Sequence, residues 1–232
     1  MAEGLVTVRD GFRWDDCDAY LFDIDGTLLH AEGGVHTDAF SSSVEAVMGH
    51  PLSIGAVLVH GSTDTAILRD AFRHAAIADE VWQPRLEEIL VRLRATVLAR
   101  RERMTVTVMP GVPSVLAYLQ SRGKLLGVAT GNLEQIGWLK IEIAGLRDWF
   151  SFGGFSDRHI LRSDMIANAL AAARKIGGEH VKVCVVGDTP SDIAAAKANG
   201  LPTIAVATGV YPYQTLLEHH PEVCATTLQA LL

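Results

Sequence analysis

Two aspartates separated by one residue follow the first predicted strand, in the segment Asp23-Ile24-Asp25-Gly26-Thr27. A turn at the glycine can aim both carboxylates at one ligand. One carboxylate could then act as a nucleophile while its neighbour acts as a general acid, two roles that one group cannot fill at once. The spacing therefore suits covalent catalysis by one acid with proton transfer by the other.

Two further polar segments follow predicted strands later in the chain. Thr130-Gly131-Asn132 precedes a predicted helix, whose free backbone amides and N-terminal dipole favour a bound phosphate. Asp188 and Asp192 lie in the second segment, where the predicted strand at 181–186 leads into the predicted helix at 190–199. Because ligands of open α/β sheets bind beyond the carboxyl ends of the strands, we expect these segments to converge. Acids packed this closely need a cation, and oxygen ligands without clustered histidine or cysteine favour Mg²⁺.

The elements that must position these residues alternate between short apolar runs and segments of helical periodicity. Predicted strands cover residues 19–23, 125–129, 181–186 and 202–206. Predicted helices cover residues 111–122, 133–144, 164–176, 190–199 and 212–219. The alternation predicts an α/β fold with a doubly wound, Rossmann-like parallel sheet. Ser163 is the predicted N-cap of the helix at 164–176.

Residues 30–106 break this alternation. Helical spacing dominates there, at 36–48, 64–76 and 81–102, and the one candidate strand is 56–59. We therefore predict a catalytic core made of residues 1–29 and 107–232, with residues 30–106 inserted as an α-helical cap. Within the insertion, we interpret Asp64 as a cap of the second helix, with a substrate contact as the alternative, and His30, His36 and His60 as incidental residues near the cap interface.

Composition excludes several classes of protein. The chain has 232 residues, with 20 basic and 27 acidic side chains and a net charge of −7, which argues against a nucleic-acid or anionic-membrane partner. No apolar run approaches the ~18 residues needed to cross a bilayer. Three cysteines without a C-x-x-C pair predict neither a disulfide framework nor a thiolate zinc site, and reduced thiols fit a cytoplasmic protein.

These motifs resemble those of the haloacid dehalogenase superfamily of aspartate-nucleophile phosphohydrolases. The segment from Asp23 to Leu29 is similar to its first motif, Thr130-Gly131-Asn132 to its second, and Gly187 to Asp192 to its fourth. Motif order and spacing match over nearly the whole chain, and the insertion lies where phosphoglycolate phosphatase-like members carry a helical cap. The third motif departs from the family pattern, because Arg162 stands where a lysine is usual.

The resemblance implies a phosphoric monoester hydrolase that acts on a small phosphorylated metabolite through an aspartyl-phosphate. Asp23 would attack phosphorus, and Asp25 would protonate the leaving oxygen and then activate water. Thr130 would bind a phosphoryl oxygen. Arg162 would neutralise the nucleophile and the phosphoryl group, as a rigid fork in place of a compact ammonium.

The resemblance also implies the binding residues. Gly131 and Asn132 would bind the substrate's phosphate. The implied Mg²⁺ ligands are Asp23, the main-chain carbonyl of Asp25, and Asp188, with Asp192 supporting them through water or the neighbouring cation. Charge on the phosphoryl group would then be stabilised by the metal and the phosphate cradle together.

Three other functions share parts of this pattern. A phosphomutase of the same superfamily also needs Asp25, so the motifs do not separate it from a phosphatase. A dehalogenase is disfavoured, because departure of a halide needs no acid at Asp25. A protein that binds a phosphorylated metabolite without turnover is disfavoured by the retention of every catalytic carboxylate.

Overall fold

A computed structural model describes residues 4–232 of the chain. Its strands are β1 (Val6–Val8), β2 (Ala19–Phe22), β3 (Leu29–Glu32), β4 (Thr105–Val108), β5 (Leu125–Ala129), β6 (Phe152–Gly154), β7 (Val183–Gly187), β8 (Thr203–Val206) and β9 (Val223–Ala225). Its α-helices are α1 (Val35–Met48), α2 (Asp64–His74), α3 (Asp79–Trp82), α4 (Leu86–Ala99), α5 (Val112–Ser121), α6 (Glu134–Ile143), α7 (Arg162–Gly177), α8 (Pro190–Ala198) and α9 (Tyr213–Glu218).

Seven strands form the central sheet, in the order β1-β9-β8-β7-β2-β5-β6. All neighbours are parallel except β1 and β9. This confirms the predicted α/β class with a doubly wound parallel sheet. Strand β2 lies between β5 and β7, where the strand order reverses direction. Ligands of such sheets bind at this reversal, beyond the carboxyl ends of the strands.

Strand β2 is buried on both faces, which explains its uninterrupted apolar sequence. Tyr20 and Phe22 pack into the cluster that contains the buried residues of α5. Ala19 and Leu21 pack on the opposite face against buried residues of α7 and α8. The segment that follows β2 is therefore held from both sides of the sheet.

The insertion has a core of its own, built mainly from α1, α2 and α4. This core also includes Leu133, the N-cap of α6, and Ile136 in its first turn. Strands β3 and β4 pair antiparallel at the two points where the chain passes between the sheet and the insertion. The predicted boundaries at 29/30 and 106/107 fall inside these two strands. The predicted strand at 56–59 is wrong, because that segment forms turns and irregular backbone.

The structure corrects one further local prediction. Helix α7 begins at Arg162 with the extended residue Leu161 as its N-cap, so Ser163 lies in the first turn instead of capping it. The earlier start matters for the site because it puts Arg162 on the first turn. Within residues 4–232, no helix combines the length and the apolarity that crossing a membrane requires.

Candidate active site

Asp23 and Asp25 lie on a tight turn directly after β2. The amide of Asp23 still donates to the carbonyl of Val186 at 2.8 Å, so this residue is fixed to the neighbouring strand. Gly26 follows with φ +88°, a left-handed conformation that favours glycine. A Cβ at Gly26 would collide with the carboxylate of Asp188. The glycine thus permits both the turn and the approach of a third acid.

Asp188 follows β7 and lies against the turn after β2. Its Oδ1 accepts a hydrogen bond from the Thr27 hydroxyl at 3.1 Å, and a Cβ at Gly209 would also collide with it. Carboxylate oxygens of Asp23, Asp188 and Asp192 lie within 4.8 Å of one another, and all three residues are buried. The strand ends therefore bring together the acids that the sequence singles out.

Arg162 reaches this cluster from the first turn of α7. Its Nη2 lies 2.9 Å from Asp23 Oδ1 and 2.6 Å from Asp192 Oδ1. Its Nε donates to Asp192 Oδ1 at 2.9 Å. The second oxygen of Asp192 accepts from the amide and hydroxyl of Thr189, which complete a capping box at the start of α8. Both carboxylate oxygens of Asp192 thus accept hydrogen bonds from the protein. This arrangement suits a residue that supports the other acids of the cluster.

Thr130 and Asn132 lie on the loop after β5, on the other side of the turn. The Thr130 hydroxyl accepts from the Asn132 amide at 3.3 Å and from Asn132 Nδ2 at 2.7 Å. Nδ2 of Asn132 also donates to Asp25 Oδ2 at 2.8 Å. Gly131 passes so close to the carbonyl of Ser62 that a Cβ would collide with it. This loop therefore contacts both the turn of β2 and the insertion.

The acid cluster carries an excess of negative charge. Burial raises the pKa of Asp23 to about 7, with Asp192 and Asp25 adding to the effect and Arg162 opposing it. Burial raises the pKa of Asp188 to about 8, and repulsion from Asp23 and Asp192 adds to it. If all three carboxylates are ionised, the one guanidinium leaves two negative charges in this buried site of oxygen donors. A divalent hard cation fits this donor set and this charge.

Asp25 has different surroundings, because its Oδ2 accepts from Lys140 Nζ at 2.7 Å as well as from Asn132. Its side chain is 42% exposed, towards the cavity. Burial raises the pKa of Asp25, but the Lys140 ammonium and the two hydrogen bonds outweigh it and hold the pKa below its usual value. Sequence reasoning missed Lys140. A signal was present, because a lysine interrupts the buried face of α6 that Ile136 and Ile141 occupy.

Two residues of the insertion have contacts that differ from the sequence interpretation. Thr63, and not Asp64, caps α2, accepting from the amide of Ala66 at 3.0 Å. Asp64 instead accepts from the amide of Leu133 at 2.8 Å, and its Oδ2 lies 3.2 Å from His36 Nε2. His36 is therefore not incidental, and these two side chains join the insertion to the loop after β5.

Asp23, Asp25 and Asp188 line one side of a cavity of about 370 Å³. The insertion and its connecting strands supply much of the facing wall, with histidines at positions 30, 36 and 60 and a largely apolar group of side chains. That group includes Val35, Phe40, Val59, Ile67 and Met104. A small molecule with a polar phosphate end and a less polar remainder would match the two sides.

Comparisons with known proteins agree with this geometry. A family model described as haloacid dehalogenase-like hydrolase matches residues 17–200. The phosphoglycolate phosphatase of Rhodospirillum rubrum is 30% identical over 198 residues, which cover 82% of this chain and 80% of that protein. A probable phosphatase, IndB, of Dickeya dadantii is 25% identical over 234 residues, covering 91% of this chain and 90% of that protein.

A solved structure shows the same fold. The haloacid dehalogenase-like hydrolase of Bacteroides fragilis superposes with a TM-score of 0.69 at 19% identity. The superposition covers 94% of this chain and 100% of that one. The family match spans well over half of the chain, which confirms the resemblance of the motifs. The named relatives also confirm the predicted enzyme class, a phosphoric monoester hydrolase. The chain belongs to the haloacid dehalogenase-like hydrolase family.

Proposed function

We propose that the chain is a cytoplasmic, Mg²⁺-dependent phosphatase that hydrolyses a small phosphorylated metabolite through an aspartyl-phosphate on Asp23. One observation carries the proposal. Two aspartates on one turn line the same cavity in opposite electrostatic surroundings: Asp23 belongs to a cluster with excess negative charge, whereas Asp25 is paired with a lysine. Residues 30–106 serve as the cap that closes the cavity.

The donors suited to Mg²⁺ are a carboxylate oxygen of Asp23, the main-chain carbonyl of Asp25 and the Asp188 carboxylate. Bound there, Mg²⁺ would neutralise the two excess charges of the cluster and stabilise the charge of the phosphoryl group. Asp192 supports this set through Arg162, whose guanidinium contacts both Asp192 and Asp23. Arg162 thereby keeps the nucleophile in place beside the phosphoryl group.

In the first step, an oxygen of Asp23 forms a bond to phosphorus and the ester bond breaks. The electron pair of that bond goes to the leaving oxygen, which takes a proton from Asp25. Thr130 donates to a phosphoryl oxygen, and the amides of Gly131 and Asn132 lie on the same loop before α6. These contacts hold the phosphoryl group in line between the attacking and leaving oxygens.

In the second step, water attacks the phosphorus of the aspartyl-phosphate and gives a proton to Asp25. The bond between phosphorus and the Asp23 oxygen breaks, and its electron pair restores the carboxylate. Asp25 therefore acts first as an acid and then as a base, and one turnover returns both side chains to their starting states.

The cavity limits the substrate to a small metabolite, and its apolar wall would contact the part beyond the phosphate. Several relatives are named phosphoglycolate phosphatases, so phosphoglycolate is one compound to test first. The specificity then resides in the insertion, whose side chains form the wall opposite the acids.

The test measures phosphate release from a panel of phosphorylated metabolites, with Mg²⁺ or with EDTA, for the wild type and Asp23→Asn. We expect Mg²⁺-dependent release that Asp23→Asn abolishes. Equal hydrolysis by both proteins would contradict the mechanism. Transfer of phosphate to another position of the substrate, with total phosphoester conserved, would identify a phosphomutase instead. Tight binding without turnover would identify a binding protein.

A further inference from the structure

Lys140 is a buried lysine that the proposed reaction does not yet use. It lies on α6 and its side chain is 4% exposed. Its Nζ donates to Asp25 Oδ2 at 2.7 Å and to Asn132 Oδ1 at 2.8 Å, and it lies 3.3 Å from His36 Nδ1. The ammonium thus faces two oxygen acceptors and the ring of His36, whose Nδ1 accepts in the tautomer that carries its proton on Nε2.

Stability alone does not account for this lysine. A buried ammonium must give up its hydration, and an apolar side chain of similar volume often serves the fold as well as a buried ion pair does. The adjoining buried positions of α6, Ile136 and Ile141, are apolar. Lys140 and Arg162 also contact different acids. Arg162 contacts Asp23 and Asp192, whereas Lys140 contacts Asp25.

The contacts of Asp25 are confined to one of its two oxygens. Lys140 and Asn132 both donate to Oδ2. Within residues 4–232, no side-chain hydrogen bond reaches Oδ1 of Asp25. Two donors on one oxygen fix the orientation of the carboxylate and leave the other oxygen without a side-chain donor, in a residue that lines the cavity.

We propose that Lys140 is a positioning residue that holds Asp25 by Oδ2, so that Oδ1 faces the ester oxygen and transfers the proton. The inference rests on the phosphatase function proposed above. When the ester bond breaks, its electron pair goes to the leaving oxygen, which takes the proton from Oδ1. Lys140 keeps all of its protons throughout and changes no bond.

The insertion takes part through His36 on α1. Its Nδ1 lies beside the Lys140 ammonium, and its Nε2 lies 3.2 Å from Asp64, which in turn accepts from the amide of Leu133 next to α6. The lysine is therefore held on the core side by Asn132 and on the insertion side by His36. The side chain of Lys140 therefore contacts both the insertion, at His36, and the carboxylate of Asp25.

The test compares two leaving groups. An alkyl phosphate needs a proton on its departing oxygen, whereas p-nitrophenyl phosphate releases a stable anion and does not. For Lys140→Met, we expect kcat/KM for the best alkyl phosphate of the panel to fall ~10²-fold, the cost of a misplaced catalytic group, and kcat/KM for p-nitrophenyl phosphate to change only a few-fold. A structural defect would lower both values together.

Controls separate the role of Lys140 from that of Asp25 and from folding. In Asp25→Asn, a further Lys140→Met change should cost little, because a residue that acts through Asp25 has nothing left to position. Lys175→Met, on the exposed side of α7, should leave both activities unchanged. Lys140→Gln, which retains a polar donor, is the second variant. If Lys140→Met does not fold, Lys140→Gln provides the test. Its expected loss of kcat/KM is smaller, and it is again selective for the alkyl phosphate.

Equal losses for the two substrates in a folded variant, or full additivity with Asp25→Asn, would overturn the inference while leaving the phosphatase intact. A wild-type protein that hydrolyses neither substrate would overturn the proposed function, and this role of Lys140 with it. The two failures are therefore distinguishable in one set of assays.

Discussion

Asp23 and Asp25 are the same residue type, two positions apart on one turn, and yet their surroundings differ in charge. Asp23 shares a buried cluster with Asp188 and Asp192, and one guanidinium leaves that cluster negative. Asp25 instead forms an ion pair with the ammonium of Lys140. The pKa of Asp23 is accordingly raised to about 7, whereas that of Asp25 lies below its usual value.

The comparison teaches that neighbouring elements, and not the turn itself, give the two acids different electrostatic surroundings. The excess charge around Asp23 comes from the acids after β7 and suits a metal and a transferred phosphoryl group. The ammonium beside Asp25 comes from α6 and favours the carboxylate form of Asp25, a form that can accept a proton. Changing one neighbour at a time should therefore affect one acid and spare the other.

After the complete loss expected for Asp23→Asn, the largest expected effect follows removal of the carboxylate to which we assign proton transfer. For Asp25→Asn, we expect kcat/KM for an alkyl phosphate to fall ~10³-fold, within the range for loss of general acid catalysis. The loss for p-nitrophenyl phosphate should be much smaller. Steady-state kinetics on both substrates checks this, and losses of equal size would show that the two acids are not specialised as described.

Removing the guanidinium beside Asp23 comes next. For Arg162→Met, we expect kcat to fall ~10²-fold, the size seen when one donor to a developing charge is lost. Both substrates should be affected alike, because the transferred phosphoryl group is the same in each. Arg162→Lys is the matched variant, and we expect it to recover only part of the activity, since one ammonium cannot bridge Asp23 and Asp192 as the fork does. Full activity of Arg162→Met would contradict this assignment.

The excess charge around Asp23 predicts a pH-dependent response to Mg²⁺. Free carboxyls lose their protons at about pH 4, whereas the folded, metal-free protein retains them up to the raised pKa values of Asp188, about 8, and Asp23, about 7. The folded state thus binds more protons than the unfolded state in this window, and the metal-free protein loses stability as the pH rises through it.

In the proposed function, Mg²⁺ would offset that loss by binding the ionised carboxylates. We expect saturating Mg²⁺ to raise Tm by roughly 5 °C at about pH 9 and by much less at about pH 6. Thermal unfolding with Mg²⁺ or EDTA measures the difference. Asp188→Asn, which removes one acid, should reduce the gain at the higher pH. An Mg²⁺ effect independent of pH would mean that the cluster is not the metal site.

The smallest effect belongs to the insertion. For His36→Ala, we expect kcat/KM for an alkyl phosphate to fall about 3- to 10-fold, the net worth of one ordinary hydrogen bond, because Lys140 keeps its other partners. The value for p-nitrophenyl phosphate should hardly change. His60→Ala, elsewhere on the cavity wall, is a matched control for general damage to the cap. A loss of equal size for both substrates would show that His36 does not act through Asp25.

The sequence alone predicted the sheet and the convergence of the acids for a simple reason. Strands buried on both faces are continuous apolar runs, and the carboxyl ends of parallel strands meet at one edge. Asp23, Thr130 and Asp188 each stand directly after such a run, so their proximity follows from the sheet. Short or partly exposed strands such as β1, β3 and β4 lack that pattern and were not predicted.

The contacts of the insertion were beyond local reasoning. The approach of His36 to Asp64 and Lys140 depends on how the insertion docks against α6, and no periodicity within either segment encodes that. The helix pattern does place Lys140 on a buried face beside Ile136 and Ile141. A charge at such a position is a signal of function that periodicity can supply, although its partner cannot be read from it.

The central claim is that Asp23 carries the phosphoryl group during turnover. The direct measurement is acid quenching of Asp25→Asn during reaction with p-nitrophenyl phosphate and Mg²⁺, followed by mass spectrometry of the peptide that contains Asp23. Asp25→Asn is chosen because it slows the attack of water on the intermediate. We predict a phosphoryl group on Asp23 that is absent with EDTA. Steady phosphate release with no phosphorylated peptide, or with the group on another residue, would contradict the account.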